Sequence, residues 1–408
     1  MKSRLSRRAV AATATGVFVI TFAAACGQDA TLVSEGAAEE SAASVTVTPE
    51  ADTKDVPTSA EIGVEVKDGE LSEVKLVNSD GDAVEGKLHQ DGTSWVPGTQ
   101  LEYDTEYTAT VTAVDSNDIP ATVETTFTTM SSPGSLLDAY LWNSSDYEYG
   151  QAMPIMLDFP REFTVPEDNR AEVESRLFVE SDPPQPGVWH WFSGNHLEYR
   201  PENYWEPGTE ITIRLALGGH PLGDDWYGSQ DVTGKMTIEG KGKTIDVSNE
   251  DKSMKAMEAG EEVKSMPISL GKDSTPSYSG TMIVMEKDEE TVFDTTNEPG
   301  CDGKEDGKDC YKVDIEYAMR LTWSGQYIHA APWSVGDQGT RNVSHGCVNS
   351  STDDAKWVFD WAPIGTPVVV DGTGVDLPYG DGFSAYDLSW DEFKEGSYLD
   401  DGGDTEEE

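Results

Sequence analysis

The chain has 408 residues, 37% of them hydrophobic and 26% charged, which is enough apolar material for cores and excludes wholesale disorder. Lys and Arg number 28 against 77 Asp and Glu, a formal net charge of −49; such a surface repels a phosphate backbone and excludes nucleic-acid partners. With 39 Gly, 21 Pro, 15 Tyr and 11 Trp, the composition favours short aromatic strands and many turns, a mainly β architecture.

Lys2, Arg4, Arg7 and Arg8 precede an apolar run over residues 9–25. A basic head, a short apolar stretch and small residues before a break form an export signal, too short for a confident spanning helix. Ala23-Ala24-Ala25-Cys26 resembles a lipobox, although Ala23 stands where a branched apolar residue is usual. Residues 1–25 are therefore predicted to be a lipoprotein signal peptide and Cys26 the lipidation site. The alternative is ordinary cleavage nearby, with Cys26 incidental. The first reading implies an exported chain, lipid-anchored to the outer face of the cell membrane in the wall compartment. Residues 26–56 are acidic and rich in Ala, Ser and Thr, the composition of a flexible tether.

Two related modules follow, over residues 57–130 and 131–242. Trp95 to Tyr103 lines up with Trp191 to Tyr199, and Thr105 to Val111 with Thr209 to Leu215. Tyr107, Ala109, Val111 and Ala113 alternate with polar residues, as do Ile211, Ile213, Leu215 and Leu217. Period two predicts half-buried antiparallel strands. Two units of about 100 residues with several short strands each predict tandem immunoglobulin-like β-sandwiches. Trp95 and Trp191 are expected in the cores, and His190 and His196 on loops or the surface.

From residue 243 the pattern changes. Residues 263–270, 280–285 and 366–370 read as strands, and Ser350-Ser351 followed by Asp353 and Asp354 caps a short helix carrying Trp357 and Trp361. Pro363 ends that helix. This third, β-rich module is placed at 243–372, with a C-terminal extension at 373–408 that packs back on it and ends in an acidic tail.

Exported proteins form disulfides. Cys301 and Cys310 flank a short polar, glycine-containing loop and are predicted to be bridged; the alternative is two free thiols. The loop lacks the ligand spacing of a calcium-binding hand. Cys347 is then the unpaired thiol, in Ser344-His345-Gly346-Cys347-Val348-Asn349, downstream of Tyr327-Ile328-His329-Ala330-Ala331-Pro332-Trp333. An imidazole can take a thiol's proton and stabilise the thiolate, and Gly346 lets backbone N–H groups approach a substrate oxygen. Spacing alone does not choose between His329 and His345 as the base. A metal site of His329, His345 and Cys347 lacks a fourth ligand, and a buried structural Cys is the plain alternative.

The segment Ser344–Asn349 with His329, together with Gly271-Lys272-Asp273-Ser274-Thr275-Pro276, resembles the active-site signature of the L,D-transpeptidases with a YkuD-type catalytic domain. The two immunoglobulin-like modules and the lipobox resemble the lipoprotein members from actinobacteria. The resemblance implies a peptidoglycan transpeptidase that forms 3→3 cross-links between stem peptides through a cysteine thioester, releasing the terminal D-Ala, with no metal or other cofactor. Transfer to water or to a protein amine is the nearer alternative, and a non-catalytic wall-binding lipoprotein the distant one. Partners implied are the donor tetrapeptide stem, the acceptor amine, the membrane through the lipid anchor, and β-lactams of carbapenem type as covalent inhibitors. Carried over residue by residue, Cys347 is the nucleophile and His329 the general base. The Ala330 backbone carbonyl orients the imidazole, and the Gly346 N–H lies in the oxyanion hole. Tyr311, Ser324, Trp333, Ser344, His345 and Asn349 line or shape the substrate site.

Overall fold

The computed structural model describes residues 40–399, apart from 90–91, 144–146, 298–300, 302 and 306–309. The predicted signal peptide, Cys26 and the tail 400–408 lie outside the described residues. Among the described residues no helix is long and apolar enough to cross a membrane.

The first module is two four-stranded sheets. One runs Ser44–Thr48, Ile62–Lys67, Ser94–Pro97, Gly86–Leu88; the other Ala83–Val84, Glu70–Asn78, Glu106–Val114, Pro120–Thr128. The alternation in the strand Glu106–Val114 buries Tyr107, Ala109, Val111 and Ala113, the first three in one core with Ile62, Leu76, Trp95 and Phe127. The expected tether over residues 26–56 needs correction. Ser44–Thr48 is a strand of the first sheet, paired antiparallel with Ile62–Lys67. Val45 and Val47 alternate with Ser and Thr there, and Val47 is buried.

The second module repeats the plan. Its sheets are Tyr140–Leu141, Ile155–Asp158, His196–Pro201, Gly187–Ser193, and Glu148–Tyr149, Val232–Ile238, Glu210–Leu215, Leu177–Asp182. Strand order shows that His196–Pro201 occupies the place of Ser94–Pro97 in the first module. The match of Trp95 with Trp191 therefore compares non-equivalent strands, although both indoles are buried. The two histidines expected on loops or the surface are strand residues. His190 is buried, its ring nitrogens 2.7 Å from the Phe393 carbonyl and 2.7 Å from the Tyr379 hydroxyl. His196 lies between the carboxylates of Asp158 and Glu198.

The third module has a five-stranded sheet, Glu261–Pro267, Ser253–Glu258, Lys243–Ser248, Pro367–Asp371, Gly280–Ile283, and a four-stranded one, Glu286–Asp294, Lys312–Arg320, Tyr327–Ala330, Val348–Ser350. The helix Thr352–Trp361 follows the last strand directly. The Ser351 side chain accepts from the Asp354 N–H at 3.1 Å and caps it. Trp357 and Trp361 stack one turn apart, with ring centres 5.5 Å apart.

The core of the second sandwich does not stop at its boundary. It continues through Ile283, Met285 and Phe383 of the regions that follow. The extension packs on the catalytic module and on the second sandwich as well. Arg200 of the second sandwich donates to the Ala385 carbonyl at 2.9 Å and to that of Leu388 at 3.0 Å, and Glu198 accepts from the Ala385 N–H at 3.0 Å. On the other side Asp387 accepts from the Thr281 N–H at 2.7 Å. A buried carboxylate and guanidinium need several partners each, and the irregular backbone of 385–389 provides them.

Candidate active site

The site is set by one parallel pairing. Ile328, His329 and Ala330 lie beside Val348, Asn349 and Ser350. Side chains alternate along a strand, so His329 and Asn349 share a face. Cys347 stands one residue before Val348, in the bend that leads into this strand, diagonal to His329 in the register. Strand spacing and rise place such diagonal neighbours about 8 Å apart at Cα, a gap that an imidazole and a thiol side chain can close. His329 is buried, and its Nδ1 donates to the Ala330 carbonyl at 2.8 Å. A carbonyl only accepts, so the proton sits on Nδ1 and Nε2 is left basic.

Burial pushes the His329 imidazole down to about 4, against the smaller opposing effect of its bond to Ala330. Burial pushes the Cys347 thiol up to about 12, opposed by a backbone hydrogen bond from Tyr327. Both effects favour the neutral forms. No hydrogen bond joins the two groups among the described residues; the thiol instead faces the Gly325 carbonyl at 3.8 Å. The resting pair is thus neutral thiol and neutral imidazole, not the ion pair that a Cys–His motif suggests.

The turn before Cys347 is held from several sides. Ser344, buried, donates its hydroxyl to the Cys347 carbonyl at 2.6 Å and accepts from the Gly346 N–H at 3.2 Å. In this resting arrangement the Gly346 N–H is directed to Ser344. Gly346 has φ +119, a conformation L side chains rarely adopt. Its carbonyl accepts from the buried Ser277 hydroxyl at 2.7 Å. The segment from Gly271 to Pro276 clamps the same turn, with the Lys272 N–H donating to the Ser344 carbonyl at 3.0 Å.

His345 and Cys347 do not share a strand face. His345 is exposed, accepts from the Lys272 ammonium at its Nε2 (2.8 Å), and has the Tyr311 ring 5.3 Å away, centre to centre. Trp333, on a short 3-10 turn, is 58% exposed with its ring 6.1 Å from that of His329. Phe293 packs edge-on to His329 at 5.3 Å. Asn349 is buried rather than lining a wall; its side-chain amide donates to Ser334 Oγ at 3.3 Å, and its backbone pairs with Ser269. Ser324 precedes the carbonyl that faces the thiol, and its hydroxyl donates to Asp381 at 2.6 Å. Cys301 and Cys310 are bridged, one residue before Tyr311. Among the described residues no group of three or more His, Cys, Asp or Glu is arranged to hold a metal ion.

Sequence reasoning did not single out Ser277, Gln326, Phe293 or Asp381, and named Lys272 only within the segment 271–276. Gln326 is buried and ties the active-site loop to residues 276–278, accepting from the Tyr278 N–H at 3.1 Å. No local pattern marks these side chains, because each acts on groups that only the fold brings near. Only the segment 271–276 carried a signal, in its likeness to the family signature.

Residues 242–370 match the family described as the L,D-transpeptidase catalytic domain, and residues 53–221 match the bacterial Ig domain. The second match spans both sandwiches. L,D-transpeptidase 2 of Mycobacterium tuberculosis (strain CDC 1551 / Oshkosh) is 33% identical over 343 residues, covering 84% of this chain and 82% of that protein. L,D-transpeptidase 5 of Mycobacterium tuberculosis (strain ATCC 25618 / H37Rv) is 30% identical over 386 residues, covering 93% and 82%. An L,D-transpeptidase solved in complex with imipenem is 28% identical, with 59% of this chain and all of that chain covered and a TM-score of 0.47.

Proposed function

The chain belongs to the L,D-transpeptidase family, and from that premise we propose that it forms 3→3 cross-links between peptidoglycan stem peptides through a thioester on Cys347. It is a cysteine-dependent transpeptidase acting on peptidoglycan; the bond made and the residues that make it are our reading. The observation that carries this reading is the parallel pairing of His329 with Asn349, two residues after Cys347, with the imidazole proton held at Nδ1 by Ala330.

The sulfur attacks the carbonyl of the third residue of a donor tetrapeptide while His329 Nε2 takes the thiol proton. Because both groups rest neutral, the charge separates only when a bound carbonyl can accept the sulfur's electrons. Release of the Gly346 N–H from Ser344 Oγ supplies an oxyanion donor beside the N–H of Cys347. The imidazolium returns its proton to the amine of the departing D-Ala, leaving a thioester. The side-chain amine of a second stem then attacks that thioester and gives up a proton to His329. An amide forms, the C–S bond breaks, and the sulfur recovers its proton. Tyr311 and His345 form one wall, Trp333 the rim, and Ser324 a contact beside the nucleophile. Ser344 and Asn349 hold the backbone on which these sit. Carbapenem-type β-lactams acylate the same thiol.

The sequence further supports export of the chain, lipidation of Cys26 and anchoring at the outer face of the cell membrane. On that reading Cys26→Ala moves the protein from the membrane fraction to the soluble one.

The test is incubation of purified enzyme with a disaccharide-tetrapeptide, with products read by mass spectrometry. A 3→3 dimer with loss of D-Ala, absent for Cys347→Ala, is expected. Tripeptide alone would assign water as the acceptor and overturn the cross-linking assignment.

A further inference from the structure

The loop that faces the nucleophile is built from a tight turn over residues 321–326. The Leu321 N–H donates to the Gln326 carbonyl at 2.9 Å, and the Gln326 N–H to Thr322 Oγ1 at 3.0 Å. Its tip is Ser324-Gly325, and the Gly325 carbonyl is the group 3.8 Å from Cys347 Sγ. From the catalytic sheet Arg320 holds the base of this turn, donating to the Thr322 and Trp323 carbonyls at 3.0 Å each. A residue of the C-terminal extension holds the tip. Asp381 accepts from the Ser324 N–H at 2.8 Å with one carboxylate oxygen and from the Ser324 hydroxyl at 2.6 Å with the other.

A second observation places the extension there by construction. Gly382 has φ +108, and a Cβ at this position would stand 2.7 Å from the Leu321 carbonyl oxygen. No other residue lets the chain lie so close to the turn. The extension is anchored in turn on the second sandwich through Arg200 and Glu198.

We propose that Asp381 is a positioning residue for the transpeptidation, holding the Ser324–Gly325 tip against the nucleophile. Two consequences follow from the hydrogen-bond directions. The Ser324 hydroxyl proton is committed to a carboxylate, so its oxygen accepts from the Thr322 hydroxyl 3.1 Å away and keeps one lone pair as an acceptor for a peptide N–H of the bound stem. The Gly325 carbonyl is fixed where it orients the thiol before attack. The inference rests on the reading of Cys347 as nucleophile.

Asp381→Asn separates the two contacts. An amide oxygen still accepts the Ser324 N–H, but the amide NH₂ cannot accept the hydroxyl proton. Acylation by a carbapenem is measured for wild type, Asp381→Asn, Ser324→Ala and the double variant, alongside melting temperature and the pH profile of Cys347 alkylation by iodoacetamide. We expect Asp381→Asn to slow acylation about tenfold in the wild-type background, the scale of one charge-assisted hydrogen bond, with an unchanged melting temperature. In the Ser324→Ala background the same change should have almost no effect. The alkylation profile should move to lower pH as the carboxylate charge is removed and the carbonyl loosens. An undiminished rate for Asp381→Asn, or the same loss in both backgrounds, overturns the proposal. Adduct formation by wild type in the same assay tests the nucleophile reading separately, since only the ratio of variant to wild type bears on Asp381.

Discussion

The two junctions between the three modules are built differently. The first sandwich meets the second through polar contacts. Arg176 donates to the Ser59 carbonyl at 3.0 Å and to Glu61 at 2.7 Å; the Thr58 hydroxyl donates to the Gly218 carbonyl at 3.1 Å; His220 Nδ1 lies 3.2 Å from Ser59 Oγ. Among the described residues Arg176 Nε and His220 Nε2 are buried there with no hydrogen-bond partner, and each such group costs about 1–3 kcal/mol. The second sandwich meets the catalytic module through a continuous apolar core that includes Ile283, Met285 and Phe383. The contrast assigns different work to two modules of the same fold. The first is a docked spacer, whereas the second is structurally part of the enzyme, because its Arg200 and Glu198 hold the strap that reaches Ser324.

The largest effect should come from cutting at each junction. A chain beginning at residue 131 should fold and acylate Cys347 at essentially the wild-type rate. One beginning at 243 should fail to fold, because Ile283, Met285 and residues 385–393 lose the surface they are buried against. Soluble, carbapenem-reactive protein from the shorter chain would erase the distinction.

Point substitutions sharpen it. Met285→Ala should cost about 2–5 kcal/mol and lower the main unfolding transition. Arg176→Ala should leave that transition in place and separate an earlier one for the first sandwich. Calorimetry distinguishes these outcomes, and a single, uniformly lowered transition for Arg176→Ala would contradict the picture of a docked spacer.

Two histidines of the second sandwich respond to pH in opposite directions. At His220, burial, reinforced by the Arg176 charge, pushes the imidazole down to about 3 from its usual 6.5. The unfolded chain then binds more protons than the folded one, so this contribution is complete above about pH 6.5 and is lost as pH falls toward 3. At His196, burial is outweighed by the carboxylates of Asp158 and Glu198, which raise the imidazole to about 10. That contribution is complete below about pH 6.5 and is lost as pH rises through 10. Unfolding midpoints followed against pH should fall on the acid side through His220 and on the alkaline side through His196. His220→Gln and His196→Gln should each flatten one limb; a limb left unchanged by its substitution would refute the assignment.

The smallest effect is expected at the Cys301–Cys310 bridge. Replacing both by Ser should loosen the segment leading into Tyr311, whose ring lies on His345, and alter acylation rates a few-fold without changing the melting of the modules. Identical kinetics would show that the bridge does not act on the site.

Much of this was legible because it is local. The alternation from Tyr107 to Ala113 marks its strand, Ser351 with Asp353, Asp354 and Pro363 brackets its helix, and Ser344 to Asn349 forms a contiguous run. What escaped depends on distant partners. The Trp95–Trp191 match followed a shared residue type across non-equivalent strands, since large aromatics suit several core positions. The strand Ser44–Thr48 was hidden by its polar alternate residues. The Gly346 N–H turned inward because the Ser344 hydroxyl is two residues away, and the neutral state of Cys347 and His329 follows from burial, which no motif encodes. Asp381 lies 57 positions from Ser324, beyond any local pattern.

The central claim is tested most directly by intact mass and peptide mapping after incubation with a carbapenem. The account predicts one covalent adduct, mapped to Cys347, that is absent from Cys347→Ala and forms far more slowly in His329→Ala. An unmodified wild-type protein, or an adduct that persists in Cys347→Ala, would contradict it.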